Sequence, residues 1–196
     1  MTGPVPFSFD RLPVSRWRNG GGSTREIVSW PGEGASGSFG WRASIATIDC
    51  HGDFSVFPGV DRIITLLDGQ GVILHGADGG HHALTQPGRP YAFAGEEQIH
   101  ATLVGGPSLD FNIMTRRDAY AAEVRLITRR QPLSPGHGGV LYVVAGEWHL
   151  AGQAPLTARD GIWWHSAAGA LSPYPTTVTG LALWADITVC GPADGA

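Results

Sequence analysis

Alternation of side-chain character with a period of two residues constrains this chain more than any other feature. Residues 23–30 read "STREIVSW" and residues 41–48 read "WRASIATI", and in both segments successive side chains fall on opposite faces of an extended strand. The 29 glycines and 14 prolines interrupt the apolar runs at short intervals. Many short strands separated by frequent turns predict an all-β barrel or sandwich.

Further segments have the composition of strands and are bounded by turn signals such as "LDGQG", "ADGGH" and "PGRP". These segments are 62–67, 71–75, 82–86, 91–95, 99–104 and 110–116. The segment 116–127, "RRDAYAAEVRLI", also fits a helical turn that leads into a strand.

The charge balance limits the classes of partner. A net charge of -4 with only 13 lysines and arginines argues against nucleic acid and against an anionic membrane surface. The amino-terminal residues lack the pattern of a signal peptide, and no apolar run reaches the length of a membrane span. Cys50 and Cys190 are too few for a disulfide framework. We therefore expect buried free thiols and a cytoplasmic protein.

A weak internal repeat suggests two similar halves. "RIITLLDGQGVIL" and "LTQPGRPYAFAG" (62–74 and 84–95) have counterparts in "GVLYVVAGEWHL" and "LTARDGIWWHSAAG" (139–150 and 156–169). An apolar strand, a glycine turn, a polar strand and a glycine–aromatic strand recur in that order. The repeat predicts two β-barrels, which we assign to residues 1–118 and 119–196.

Four blocks together resemble the HutD/Ves family. They are "WRNGGGSTREI" (17–27), "FGWRASIATID" (39–49), "GDFSVFPGVDRIITLLDGQG" (52–71) and "GPSLDFNIMTRR" (106–117), and they occur in the family order. The resemblance implies a bicupin, in which two antiparallel, jelly-roll-like cupin barrels share one chain. It also implies a link to histidine utilisation, with N-formyl-glutamate as the favoured ligand for HutD members, or to stress response for Ves members. No enzyme activity is implied.

The cupin metal motifs are not present, so we expect neither a metal nor another cofactor. Residues 53–71 contain no histidine, and Arg62 stands where the motif has its glutamate. Tyr91 and Trp164 lie near the positions of the later histidine ligand, and His137 lacks a second histidine two residues on. Adjacent His81 and His82 are predicted at an exposed hairpin tip, whereas His75, His100 and His149 look isolated.

The glycine run "NGGGSTREI" does not fit a nucleotide loop. It has no lysine and leads into a strand, whereas a phosphate loop ends in Gly-Lys-Ser/Thr and leads into a helix. Two interpretations stay open. The run is a structural turn, or, as the resemblance implies, it borders the pocket and lets backbone N–H groups approach a ligand.

Polar residues cluster inside the strand-like blocks that carry the resemblance. Arginine binds carboxylates through its planar fork, and a buried arginine needs an acidic partner or an anionic ligand. Each residue also has a structural interpretation, such as a surface ion pair or a turn cap. The predicted ligand-binding set is Asn19, Gly20, Gly21, Gly22, Thr24, Arg25, Glu26, Arg42, Ser44, Asp61, Arg62, Asp110 and Asn112.

Our hypothesis is a metal-independent bicupin that binds a small acidic metabolite and regulates amino-acid catabolism. One rival is an isomerase- or lyase-type cupin enzyme, with Asp61, Glu26 or His100 as general base, although no nucleophile–base pair is visible. Another is a structural or protein-interaction module. The second half has few clusters of polar residues. It would pack against the first half or against another subunit, so a homodimer remains one of the possible assemblies.

Overall fold

The computed structural model describes residues 3–31, 39–130, 133, 136–165 and 171–190. The first strands are β1 (Val5–Ser8), β2 (Val14–Arg16), β3 (Gly22–Pro31), β4 (Phe39–Ile48), β5 (Gly52–Asp53), β6 (Val60–Asp68), β7 (Val72–Gly76), β8 (His81–Leu84), β9 (Pro90–Ala94), β10 (Ile99–Leu103) and β11 (Ser108–Arg116). They are followed by β12 (Tyr120–Ile127), β13 (Gly138–Ala145), β14 (Glu147–His149), β15 (Leu156–Thr157), β16 (Asp160–His165), β17 (Tyr174–Pro175) and β18 (Leu181–Val189). One 3-10 helix spans Phe9–Arg11.

The chain divides into two compact units, one formed by Pro13–Ala119 and the other by Met1–Leu12 together with Tyr120–Ala196. In the first unit, a six-stranded sheet has the order β2-β3-β4-β11-β6-β9 and a four-stranded sheet has the order β5-β10-β7-β8. The other unit has a five-stranded sheet, β1-β16-β13-β18-β12, and a three-stranded sheet, β15-β14-β17. The fold is all-β and antiparallel, as predicted.

The assignment of residues 1–118 to one barrel differs from this division at its amino terminus. Strand β1 pairs with β16, with Val5 opposite Trp163 and Ser8 opposite Asp160. Residues 1–12 therefore belong with the carboxy-terminal half, because the hydrogen-bonding partner of β1 lies there.

The internal repeat has a topological counterpart. Strand β6 lies between β11 and β9, and β13 lies between β18 and β16. The Gly88 N–H donates to Leu66 O, and the Arg159 N–H donates to Val143 O. Arg159 (φ 75°) therefore occupies the left-handed turn position of Gly88 (φ 77°). Residues 166–169 of the second repeat lie outside the described residues.

Each unit has its own apolar core. In the first unit, Ile64, Leu66, Leu74 and Phe93 belong to a cluster between 0 and 7% exposed. In the other, a comparable cluster contains Trp148, Trp164 and Trp184, each at most 1% exposed. Burying such side chains contributes roughly 1.5–3 kcal/mol each, which is the main stabilising term in a chain with so little helix.

Residues 117–119 form a turn in which the Ala119 N–H donates to Arg116 O, and this turn leads into β12 without forming a helix. One local expectation was wrong. Cys50 is exposed and Cys190 is intermediate in exposure, so neither is the buried thiol we expected. Within the described residues, no helix is long and apolar enough to cross a membrane.

Candidate functional site

A cavity of about 920 Å³ lies in the Pro13–Ala119 unit, over one face of the six-stranded sheet. We call it the arginine cavity, because four of its lining residues are arginines and one, Asp53, is acidic. The predicted residues that line it are Asn19, Thr24, Arg42, Ser44, Arg62 and Asn112. An excess of positive charge in a chain of net charge -4 favours an anionic ligand.

Strand register explains why residues far apart in sequence meet here. Met114 of β11 lies opposite Arg42 of β4 on one side and opposite Arg62 of β6 on the other. Asn112 lies in the same way between Ser44 and Ile64. Directly opposite residues point to the same face of a sheet. These two rows therefore form the floor of the cavity.

Arg62 has the least usual environment in the cavity. Its guanidinium carbon lies 4.8 Å from the ring centre of Phe93, 5.2 Å from that of Phe54 and 5.6 Å from that of Phe57. One terminal nitrogen donates a long hydrogen bond, 3.3 Å, to Ser55 O. The buried Nε has no hydrogen-bond partner.

No carboxylate of the described residues forms an ion pair with Arg62. Burial, and secondarily the positive charge of Arg42, lower the pKa of Arg62 to about 10. The guanidinium remains charged at neutral pH even so. A partly desolvated cation with an unused N–H donor is suited to receive a carboxylate.

Glu26 is placed beside the cavity as the partner of Arg42. Its Oε2 lies 2.8 Å from Arg42 Nε, an ion pair without the alignment of a good hydrogen bond. Glu26 therefore partly neutralises Arg42 and leaves Arg62 as the less compensated of the two charges. Arg25, the neighbour of Glu26, lies opposite Ile45 and outside the cavity lining.

Two other predicted acids also lie outside the lining. Neighbouring residues on a strand point to opposite faces of the sheet, so Asp61 points away from the cavity that Arg62 lines. Asp61 instead forms an ion pair of 2.8 Å with Arg117. Asp110 is fully buried, and its Oδ2 accepts a hydrogen bond of 2.9 Å from Ser108 while Oδ1 has no partner. Burial raises the pKa of Asp110 to about 7, although the Ser108 hydrogen bond opposes the shift.

The glycine run forms a turn and does not line the cavity. The Gly20 N–H donates to Trp17 O, and the Gly21 N–H donates to Asn19 Oδ1 at 3.0 Å. These two donors are used within the chain, so the structure supplies no anion nest there. Asn19, which precedes the glycines, and Trp17 both line the cavity. Trp17 Nε1 donates a hydrogen bond of 2.8 Å to Thr24 Oγ1.

Each glycine of the run has a different tolerance for a side chain. A Cβ on Gly22 would collide with the carbonyl oxygen of Thr47 on the paired strand, whereas one on Gly21 would meet only the Asn19 amide at 3.3 Å. We expect Gly22→Ala to lower the free energy of unfolding by about 2 kcal/mol. Gly21→Ala, the matched control, should cost less than about 1 kcal/mol. Urea denaturation checks both, and equal losses would contradict the steric argument.

The aromatic residues around Arg62 escaped the sequence-based prediction. Phe54 and Phe57 lie in the loop between β5 and β6, and both line the cavity. The signal available was "DFSVFPGVDR", which carries two phenylalanines shortly before an arginine in a strand. Cation–π packing of an arginine against several rings depends on loop geometry, so the sequence pattern alone does not predict these contacts.

The HutD family model matches residues 10–180. The chain belongs to the HutD/Ves family. It is similar to Protein Ves of Citrobacter koseri, with 47% identity over 160 residues (81% of this chain, 82% of the relative). It is also similar to Protein Ves of Cronobacter sakazakii, with 44% identity over 166 residues (84% and 89%).

Solved structures place this HutD/Ves chain among cupin-like proteins. The structure of HutD from Pseudomonas fluorescens SBW25 is 31% identical, with a TM-score of 0.85, and the match covers 96% of this chain and 100% of that one. Protein Ylba from E. coli is 11% identical, with a TM-score of 0.71 over 98% of this chain and 93% of that one. At that identity the likeness shows the fold alone, a cupin-like β fold.

Proposed function

We propose that this HutD/Ves chain binds a small carboxylate metabolite in the arginine cavity, without a metal, and thereby regulates amino-acid catabolism, most specifically of histidine. The single observation that supports the proposal is Arg62. It is a largely buried guanidinium with an unpartnered Nε and no acidic partner among the described residues. N-formyl-glutamate, an acyl dicarboxylate, is the ligand we favour, because it could pair with Arg62 and with a second arginine of the lining.

Binding is favoured over catalysis by the state of the candidate bases. Asp61 and Glu26 are held in ion pairs with Arg117 and Arg42. His100 is paired with Asp53 and is not among the lining residues. A general base must reach the proton that it abstracts, and none of the three is placed to do so in the arginine cavity.

A thermal-shift series tests the proposal. The purified protein is heated with N-formyl-glutamate, glutamate, urocanate or histidine, each with EDTA and, separately, with added zinc. A ligand that binds only the native state at 100 times its Kd stabilises it by about 2.7 kcal/mol. For a chain of this length that corresponds to a Tm increase of roughly 5–10 °C. We expect this increase with N-formyl-glutamate in EDTA.

The diamide of N-formyl-glutamate is the matched control, since it is close in size and shape to the acid and carries no negative charge. Its failure to raise Tm would show that charge recognition by the arginines is responsible. Equal shifts with the acid and the diamide would contradict the carboxylate site. A shift that N-formyl-glutamate produces only in the presence of zinc, beyond any shift caused by zinc alone, would contradict metal-independent binding.

A further inference from the structure

Three histidines and one aspartate form a single row across the four-stranded sheet. Asp53 of β5 lies opposite His100 of β10, and His100 lies opposite His75 of β7. His75 in turn lies opposite His81 of β8. We call Asp53, His100, His75 and His81 the histidine row. Residues directly opposite each other in a sheet point to the same face, so the register places four side chains side by side.

The row lies on the exposed face of this sheet. Its four residues are exposed, whereas the neighbouring Leu74 and Ala101, one step along the same strands, are 2% and 1% exposed. His100 Nδ1 lies 2.6 Å from Asp53 Oδ1. The ring centres of His75 and His100 are 6.5 Å apart, with 44° between their planes. The side chains that looked isolated along the sequence are therefore neighbours in space.

We propose that the histidine row binds one divalent transition-metal ion of the zinc or copper class through the imidazoles of His75 and His100, with His81 as a further ligand. Opposed side chains on a sheet have Cβ atoms about 4.5–5.5 Å apart. Two imidazole nitrogens can each approach one ion to about 2.0–2.1 Å from that spacing. Neutral imidazole is the commonest side-chain ligand for this class of metal.

Asp53 completes the arrangement as a positioning residue. Its carboxylate accepts the Nδ1–H of His100, which fixes the tautomer and leaves the Nε2 lone pair of His100 directed away from Asp53. Histidines that bind metals usually donate their other N–H to a carboxylate, a backbone carbonyl or a water, and such a partner raises the basicity of the ligand. In the row, only His100 has such a partner, which makes it the anchoring ligand.

Side-chain rotation is part of the proposal. In their present positions, no three His, Cys, Asp or Glu side chains among the described residues converge as a metal-binding group. The side chain of His100 is 50% exposed, and exposed side chains change rotamer within nanoseconds. The two-histidine core needs only that His75 and His100 turn toward a shared ion. Of the histidine row, Asp53 lines the arginine cavity and the three histidines do not, so the metal ligands themselves are separate from the proposed carboxylate site.

Titration of the untagged protein with zinc and with copper(II), followed by calorimetry and by the visible absorption of copper, tests the site. We expect one equivalent to bind with nitrogen ligation. His75→Gln and His100→Gln should each weaken binding by at least about tenfold, and Asp53→Asn by about tenfold with the copper spectrum retained. His137→Gln, at an exposed histidine of the other unit, is the matched control and should leave binding unchanged.

Tm without metal should be the same in all of these variants, because the substituted histidines and Asp53 are all exposed. No stoichiometric binding, or equal binding by the wild type and the His75→Gln/His100→Gln double variant, would overturn the site. The thermal shift with N-formyl-glutamate should persist in that double variant. A failure of this site is thereby distinguished from a failure of the carboxylate site.

Discussion

Replacing Arg62 by methionine is expected to weaken binding of N-formyl-glutamate by about a thousandfold while leaving the unliganded protein as stable as before, or more so. Truncating one partner of a buried charge pair costs about 2–5 kcal/mol of binding free energy, and about 4 kcal/mol corresponds to a thousandfold in Kd. The effect should be this large because none of the carboxylates among the described residues pairs with Arg62. The bound acid would therefore be the counter-ion of Arg62.

The stability of the unliganded protein separates a binding residue from a structural one. Burial lowers the pKa of Arg62 from 12.5 to about 10, so holding it charged in the native state costs about 3 kcal/mol at neutral pH. Cation–π contacts with the surrounding rings return roughly 2 kcal/mol. Methionine keeps apolar contact with those rings. We therefore expect the free energy of unfolding to rise by about 1 kcal/mol in Arg62→Met.

Calorimetric titration and urea denaturation measure the two quantities. Arg62→Lys keeps a positive charge without the planar fork, and we expect it to recover only part of the affinity. Arg89→Met, at an exposed arginine outside the arginine cavity, should change neither quantity. Unchanged affinity in Arg62→Met, or a loss of stability of several kcal/mol without ligand, would show that Arg62 serves the fold and not a ligand.

Asp110→Asn is expected to stabilise the protein at about pH 8 by about 4 kcal/mol and to have little effect near pH 4. Burial raises the pKa of this carboxyl from 3.8 to about 7 in the folded state. Between those values the native state retains a proton that the unfolded state has released. The contribution of Asp110 to stability is therefore fully present below about pH 4, falls as pH rises, and is lost above about pH 7.

The magnitude follows from the size of the shift, since one pKa unit corresponds to about 1.4 kcal/mol. Asparagine has the same shape and can still accept from Ser108, but it never has to ionise in a buried place. The Arg117 guanidinium lowers the pKa of Glu96 to about 2. Glu96 therefore contributes stability that is lost as the pH falls through the acid range, which is the opposite pH dependence to that of Asp110. Its contribution cancels when the variant is compared with the wild type at each pH.

Urea denaturation between about pH 4 and about pH 8 gives the pH dependence of the free energy of unfolding for both proteins. Asp49→Asn, at an exposed aspartate, is the matched control and should run parallel to the wild type. A loss of stability in Asp110→Asn that is equal at all pH values would mean that the buried carboxyl is ionised and paired. Asp110 lies opposite Ala46, which lines the cavity.

Much of the architecture was available from the order of residues alone. The predicted strand 41–48 lies within β4, and the predicted strand 110–116 lies within β11. A period of two is a local property, since it follows from the geometry of an extended backbone and needs no partner strand. The matched glycine turns at Gly69 and Gly146 both have positive φ, which also reflects a local steric requirement.

The composition of the candidate site depended on tertiary structure. The pattern showed that Arg42 and Ser44 share one face and that Trp41 and Ile45 share the other, but both faces of β4 proved to be largely buried. Alternation therefore could not tell which face holds the cavity. The sequence also could not predict which ion pairs form: Glu26 pairs with Arg42, and Asp61 pairs with Arg117.

The sequence by itself determined that the chain is built from short antiparallel strands and that it carries a weak internal repeat and the HutD/Ves motifs. Only the tertiary structure decided that Arg62 is surrounded by phenylalanines and that Asp53, His100, His75 and His81 share one row. The physical reason is that the two levels of structure depend on contacts of different range along the sequence. Backbone conformation is set by neighbours along the chain, whereas a site is set by strand register, which brings together residues that are distant in sequence.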